Sequence, residues 1–115
     1  MAGVSATTQM SDQGLASPME TAEAADLGEL LQALGDPTRL RILSALGMAC
    51  VSVGAIVAAT GLKQPAVSHH LRVLRDRGLV RAERRGPYIY YCTASPALGP
   101  VIVAARTLLR ERGSR

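Results

Sequence analysis

The chain has 115 residues, 48% of them apolar, without Phe or Trp, a length and composition that fit one domain with a single modest core of the size that often needs a partner chain. Residues 1–35 hold five acids and no Lys or Arg, whereas residues 36–115 hold all thirteen bases against four acids, a local net charge of +9 that points to nucleic acid or another acidic surface. No apolar run is long enough to cross a bilayer, no basic-then-apolar leader opens the chain, and two Cys do not make a disulfide framework, so a cytoplasmic protein with no membrane partner is expected.

Residues 1–20, rich in Ser, Thr, Gly, Ala and Met without periodicity, read as a flexible tail preceding a domain over 21–115. Leu27, Leu30, Leu31 and Leu34 share one helical face and predict a helix over 21–34 ended by Gly35. Asp36-Pro37 then restarts a helix, Asp36 as its cap and Pro37 in its first turn, running to about Leu46 with Leu40, Leu43 and Leu46 on one face and Ile42 beside them. Residues 50–53 are short and β-branched and predict a brief strand. Ser52 caps a short helix to Thr60, and Gly61 makes a tight turn before a helix from about 64 to 77, closed by a left-handed Gly78. Segments 79–85 and 88–93 alternate with period two around Gly86-Pro87 and predict a hairpin with a basic tip at Arg84 and Arg85, Arg81 lying on the same strand. In its second strand Tyr88 and Tyr90 share one face, Ile89 and Tyr91 the other, and one face packs on the core. A last helix is expected from Ser95 to about Arg112, its apolar residues facing a second chain.

The helix over 64–77 carries most of the functional information. Wound at about 100° per residue, it gathers Val67, Leu71 and Leu74 on one side, flanked by His70. The other side presents Pro65, His69, Arg72 and Asp76, with Gln64 and Ser68 at its margin. A helix entering the major groove needs short polar groups near its N-terminus and bases for phosphate. Gln64, Ser68 and His69 meet the first need; Lys63, Arg72 and Arg75 meet the second, and the free N–H groups of the helix start favour phosphate as well. Adjacent His69 and His70 point in different directions and do not share an ion easily. His69 reads as a groove contact and His70 as a hydrogen-bonded structural side chain. Near the hairpin tip, Arg84 and Arg85 are candidates for phosphate contacts and Tyr88 for the sugar-phosphate backbone.

Three segments together, Leu34-Gly35-Asp36-Pro37-Thr38-Arg39-Leu40-Arg41-Ile42-Leu43, Gln64-Pro65-Ala66-Val67-Ser68-His69-His70-Leu71-Arg72-Val73-Leu74-Arg75, and Gly78-Leu79-Val80 with Tyr88-Ile89-Tyr90-Tyr91, closely resemble the ArsR/SmtB winged-helix repressors over roughly residues 22–111. The resemblance implies a mainly α fold with a small β-hairpin in the order α-α-α-α-β-β-α, a winged helix-turn-helix with its reading helix at 64–77 and its wing at 79–93. It implies a homodimer joined through the first and last helices, seated on a pseudo-palindromic double-stranded operator and released by an inducer. The usual metal sites of that family are not matched. Where its metalloid and cadmium sensors carry Cys-Val-Cys-Asp-Leu, this chain reads Ser52-Val53-Gly54-Ala55-Ile56. Where its zinc and nickel sensors carry ligands on the last helix, it holds Ser95, Ala97, Leu108 and Glu111.

The only thiols are Cys50 and Cys92. In a winged helix the brief strand pairs with the second wing strand, which brings these two side by side as a candidate inducer site: a two-thiol site for a soft metal ion, or a pair that oxidises. The alternative is that each is a small apolar filler. No nucleophile–base pair, metal-ligand spacing or Gly-rich phosphate loop points to an enzyme. Two functions remain: a DNA-binding transcriptional regulator, and a winged-helix interaction module that binds an acidic partner through the basic face.

Overall fold

The computed structural model describes residues 14–47 and 49–113. Most of the expected tail lies outside the described residues; 14–20 are exposed and form no helix or strand. The elements follow as α1 (Thr21–Leu34), α2 (Pro37–Leu46), β1 (Val51–Ser52), α3 (Val53–Thr60), α4 (Gln64–Asp76), β2 (Val80–Arg85), β3 (Tyr88–Thr93) and α5 (Leu98–Gly113). The three strands form one antiparallel sheet in the order β1-β3-β2. The brief strand pairs with the second wing strand, as the winged-helix resemblance implies, and completes a three-stranded sheet.

Local chemistry sets the helix ends. The Asp36 side chain accepts from the Arg39 N–H at 3.0 Å, and Pro37 fills the first helical position, where its missing N–H costs no bond. The Arg39 N–H holds the Asp36 carboxyl below its ordinary range; partial burial opposes this, and the charges of His70 and Arg39 reinforce it. Ser52 Oγ accepts from the Ala55 N–H at 3.1 Å and starts α3 without the acid that would complete a capping box. Replacing Ser52 by Ala is expected to lower unfolding stability by about 1 kcal/mol. Denaturant titration at fixed protein concentration checks this, and an unchanged midpoint would show that the cap contributes nothing.

α3 ends on Gly61, at φ 72°, whose N–H donates to the Val57 carbonyl at 2.8 Å. α4 closes in a Schellman motif: the Gly78 N–H donates to the Arg75 carbonyl and the Leu79 N–H to the Leu74 carbonyl, both at 2.9 Å, with Gly78 at φ 74°. The same turn seats Leu79 and Leu74 in the core and sends the chain directly into β2. α5 begins three residues later than expected. Ser95 instead makes a turn, its Oγ accepting from the Ala97 N–H at 3.1 Å and its carbonyl from the Leu98 N–H at 3.2 Å. Pro100 then falls within the first turn of α5, where no intrahelical N–H donor is required.

The core lies where α2, α3, α4 and the sheet meet. Ile42, Leu46, Ile56, Val67, Leu71 and Leu74 are almost fully excluded from solvent, with Leu79, Val80 and Leu98 closing the edges. Val51 and Tyr91 pack against this cluster, so the Tyr91 face of the sheet is the core face. Arg41 ties α2 to the end of α3 by donating to the Thr60 carbonyl at 2.7 Å. α1 and α5 bury little of their apolar surface. Leu31, Val101, Val103, Leu108 and Leu109 are 44–64% exposed, and a groove of about 460 Å³ runs between α1, α2 and α5.

Candidate nucleic-acid interface

α4 has the two faces that its spacing predicts. Val67, Leu71 and Leu74 are buried, while Lys63, Gln64, Pro65, His69, Arg72 and Arg75 are exposed and Ser68 is half-buried. Three inward anchors along the helix fix its rotation, so the polar residues between them face outward by geometry. Lys63 is the cap residue; its ammonium has only donors and cannot cap the helix N–H groups, and the residue is exposed. His69 packs edge-on to His70 with ring centroids 5.4 Å apart. Arg75 stands 4.0 Å from Asp76, a long and solvent-exposed pairing that holds it little.

His70 departs from expectation. Its Nδ1 is buried with no hydrogen-bond partner among the described residues, so this atom is not the hydrogen-bonded structural group that the sequence predicts. The residue is half-buried and near enough to Asp36 to act on its carboxyl through space.

The hairpin separates residues that look equivalent in the sequence. The register pairs Arg84 with Ile89 and Arg85 with Tyr88, so Arg84 and Arg85 point to opposite faces of the sheet. Arg84 makes no ion pair with a described residue. Arg85 is committed: its Nε and Nη2 both lie 2.8 Å from Glu83 Oε1, and its guanidinium sits 4.8 Å from the Tyr90 ring centroid. Arg81 donates to Glu83 Oε2 at 2.9 Å. These two arginines hold the Glu83 carboxyl below its ordinary range, Arg81 most strongly. The basic strand thus offers Arg84 as its available cation, with Tyr88, 63% exposed, beside the tip.

Glu83 is the residue that sequence reasoning missed. The signal was present in Arg81-x-Glu83-x-Arg85, which strand alternation places on one face with Tyr90 and Cys92 of the neighbouring strand. Cys50 and Cys92 are adjacent, as the strand pairing predicts, and are joined as a disulfide with Cα atoms 4.3 Å apart. The thiol and carboxylate atoms of Cys50, Glu83 and Cys92 all lie within 4.8 Å of one another. The two sulfurs are therefore not independent apolar fillers; they form one group that also holds an acid. The structure holds the pair in its oxidised form; as thiolates the same two sulfurs, beside the Glu83 carboxylate, are the donors that a soft ion requires.

No described helix is long and apolar enough to cross a membrane. Residues 36–82 match the family model described as "Bacterial regulatory protein, arsR family". The chain is 44% identical over 75 residues to the HTH-type transcriptional regulator NmtR of Mycobacterium tuberculosis, an alignment spanning 65% of this chain and 62% of that protein. Among solved structures it is similar to Rv0081 of M. tuberculosis, with a TM-score of 0.73 and 32% identity over 84% of this chain and 96% of that one. It is also similar to the homodimeric winged helix-turn-helix DNA-binding domain of Mb0332 from Mycobacterium bovis, with a TM-score of 0.71 and 28% identity over 84% of this chain and 92% of that one. The winged helix-turn-helix fold and these matches together show that the chain belongs to the ArsR family of bacterial regulatory proteins.

Proposed function

We propose that this protein is a sequence-specific double-stranded DNA-binding transcriptional regulator, acting as a homodimeric repressor that an inducer releases from a pseudo-palindromic operator. The observation that carries this reading is the outward face of α4. Gln64, His69 and Arg72 are exposed on a helix whose opposite face is locked into the core by three buried aliphatic residues. Such a helix presents short polar groups in fixed directions, which base-edge recognition requires. In this reading Gln64, Ser68 and His69 contact bases. Lys63, Arg72, Arg75 and Arg84 contact phosphate, Pro65 approaches the backbone at the helix start, and Tyr88 flanks the wing. Arg85 contributes less than its position in the sequence implies, because Glu83 and Tyr90 already hold it.

The dimer reading rests on α1 and α5. Their exposed Leu and Val residues flank the apolar groove, and the similar M. bovis domain is homodimeric. In a dimer of this family's kind the two α4 helices would read half-sites about one helical turn apart.

Selection from a random pool of duplex DNA tests the proposal. The expected result is an enriched inverted repeat bound by two chains per duplex. No enrichment above the starting pool would overturn the DNA reading, and with retained binding to an acidic polypeptide it would favour the interaction-module alternative.

A further inference from the structure

On the outer face of the sheet, Cys92 stands in the central strand with Cys50 across one ladder and Arg81 across the other. Glu83 lies diagonally beside it on the same face, its Oε2 at 4.0 Å from Cys92 Sγ. We propose that, once the disulfide is reduced, Cys50, Cys92 and Glu83 form a binding site for a thiophilic divalent cation of the zinc and cadmium kind, with two sulfurs and one carboxylate oxygen as ligands.

Geometry supports the assignment. Metal–sulfur bonds of about 2.3 Å and metal–oxygen bonds of about 2.1 Å in a tetrahedral arrangement separate neighbouring ligand atoms by roughly 3.5–3.8 Å. The sulfur–carboxylate distance already lies close to that range, and all three ligand atoms fit within 4.8 Å. Strand pairing fixes the backbones that carry Cys92 and Glu83, and Cys50 directly precedes β1, so the freed sulfurs stay close after reduction. Charge supports it as well. Two thiolates and a carboxylate bring three negative charges, offset by the cation and by the guanidiniums of Arg81 and Arg85, which lie 2.9 and 2.8 Å from Glu83. Thiolate donors favour soft and borderline ions over magnesium or calcium. A fourth position stays open to water or an external thiol.

The chemistry balances in two steps. An external dithiol reduces the disulfide: its two sulfurs are oxidised to a disulfide, and its two electrons and two protons convert the Cys50–Cys92 bond into two thiols. The divalent cation then displaces both thiol protons, with no change in its own oxidation state. Ligation through Oε2 takes from Arg81 its acceptor and leaves Arg85 on Oε1, so occupancy of the site changes the arginine arrangement along the first wing strand.

Cadmium titration of the full chain tests the site, read by the ultraviolet thiolate-to-cadmium charge-transfer absorption. The oxidised protein is compared with protein reduced by a water-soluble phosphine, which becomes a phosphine oxide by taking oxygen from water as the thiols gain its protons. The reduced protein is expected to bind one Cd2+ per chain and the oxidised protein to show no band. Cys92→Ser should abolish the band. Glu83→Gln, which leaves both thiols in place, should keep the band and lower affinity on the order of tenfold or more. Absence of a saturable band in reduced protein, its persistence in Cys92→Ser, or wild-type affinity in Glu83→Gln would overturn the three-ligand site. The titration uses no DNA, so its failure is distinct from failure of the DNA-binding reading.

Discussion

Affinity for duplex DNA is expected to fall by about three orders of magnitude or more between low and moderate salt. Each phosphate bound releases condensed counterions, giving a log–log slope of roughly −0.9 per phosphate, and a protein that engages six to ten phosphates loses about 10³–10⁵ in affinity between 50 and 200 mM salt. In the proposed assembly each chain offers Lys63, Arg72, Arg75 and Arg84, so two chains reach that range. Single residues should follow the same rule. Arg84→Ala should weaken binding to all sequences alike and make the slope shallower by about 1 for each phosphate no longer neutralised. Arg85→Ala should change the slope less, because Glu83 already neutralises that guanidinium and Tyr90 stacks on it. Filter binding or fluorescence anisotropy over a salt series measures both. Equal effects of the two substitutions would show that the wing's ion pairs do not survive on DNA.

Leu71→Ala is expected to be among the most damaging single changes to the fold. Leu71 is fully buried between Val67 and Leu74 on the inner face of α4. Its truncation removes apolar burial and leaves a cavity that the surrounding helices fill only in part, a loss of about 2–5 kcal/mol. Against a typical domain stability of about 5–15 kcal/mol this is a large fraction, and one that a small core cannot easily absorb. Urea titration at fixed protein concentration should show a lower midpoint with an unchanged slope. A loss below about 1 kcal/mol would show that α4 is not anchored where the core places it. DNA affinity should fall with stability, because the same residue fixes the rotation that turns Gln64 and His69 outward.

Local signals made most of the fold legible in the sequence. Asp36 before Pro37, Ser52 before Val53, and the glycines at 61 and 78 each act within a few residues, and the structure uses each as a helix boundary. The pairing of β1 with β3 was also legible once the winged-helix resemblance was recognised, and with it the meeting of Cys50 and Cys92. What could not be read locally was the choice among competing partners. Ser95 has the chemistry of a helix cap, yet it closes a turn and α5 starts at Leu98. His70 sits beside exposed His69 in the chain, but its Nδ1 is buried with no hydrogen-bond partner among the described residues. Arg84 and Arg85 are neighbours in sequence and opposites in space. Glu83 gained its meaning only from the register, which sets it between two arginines and next to a sulfur on the adjoining strand. Each of these depends on an interaction across strands or helices that periodicity does not encode.

The central claim is that α4 reads base sequence while the wing supplies charge. Repeating the duplex selection with His69→Ala, Gln64→Ala and Arg84→Ala tests it most directly. The two α4 substitutions are expected to relax preference at specific positions within each half-site, at a cost of about 1–3 kcal/mol of discrimination at each position. Arg84→Ala is expected to preserve the wild-type sequence preference at uniformly lower affinity. An unchanged preference in both α4 variants, with preference lost in the Arg84 variant, would contradict that claim.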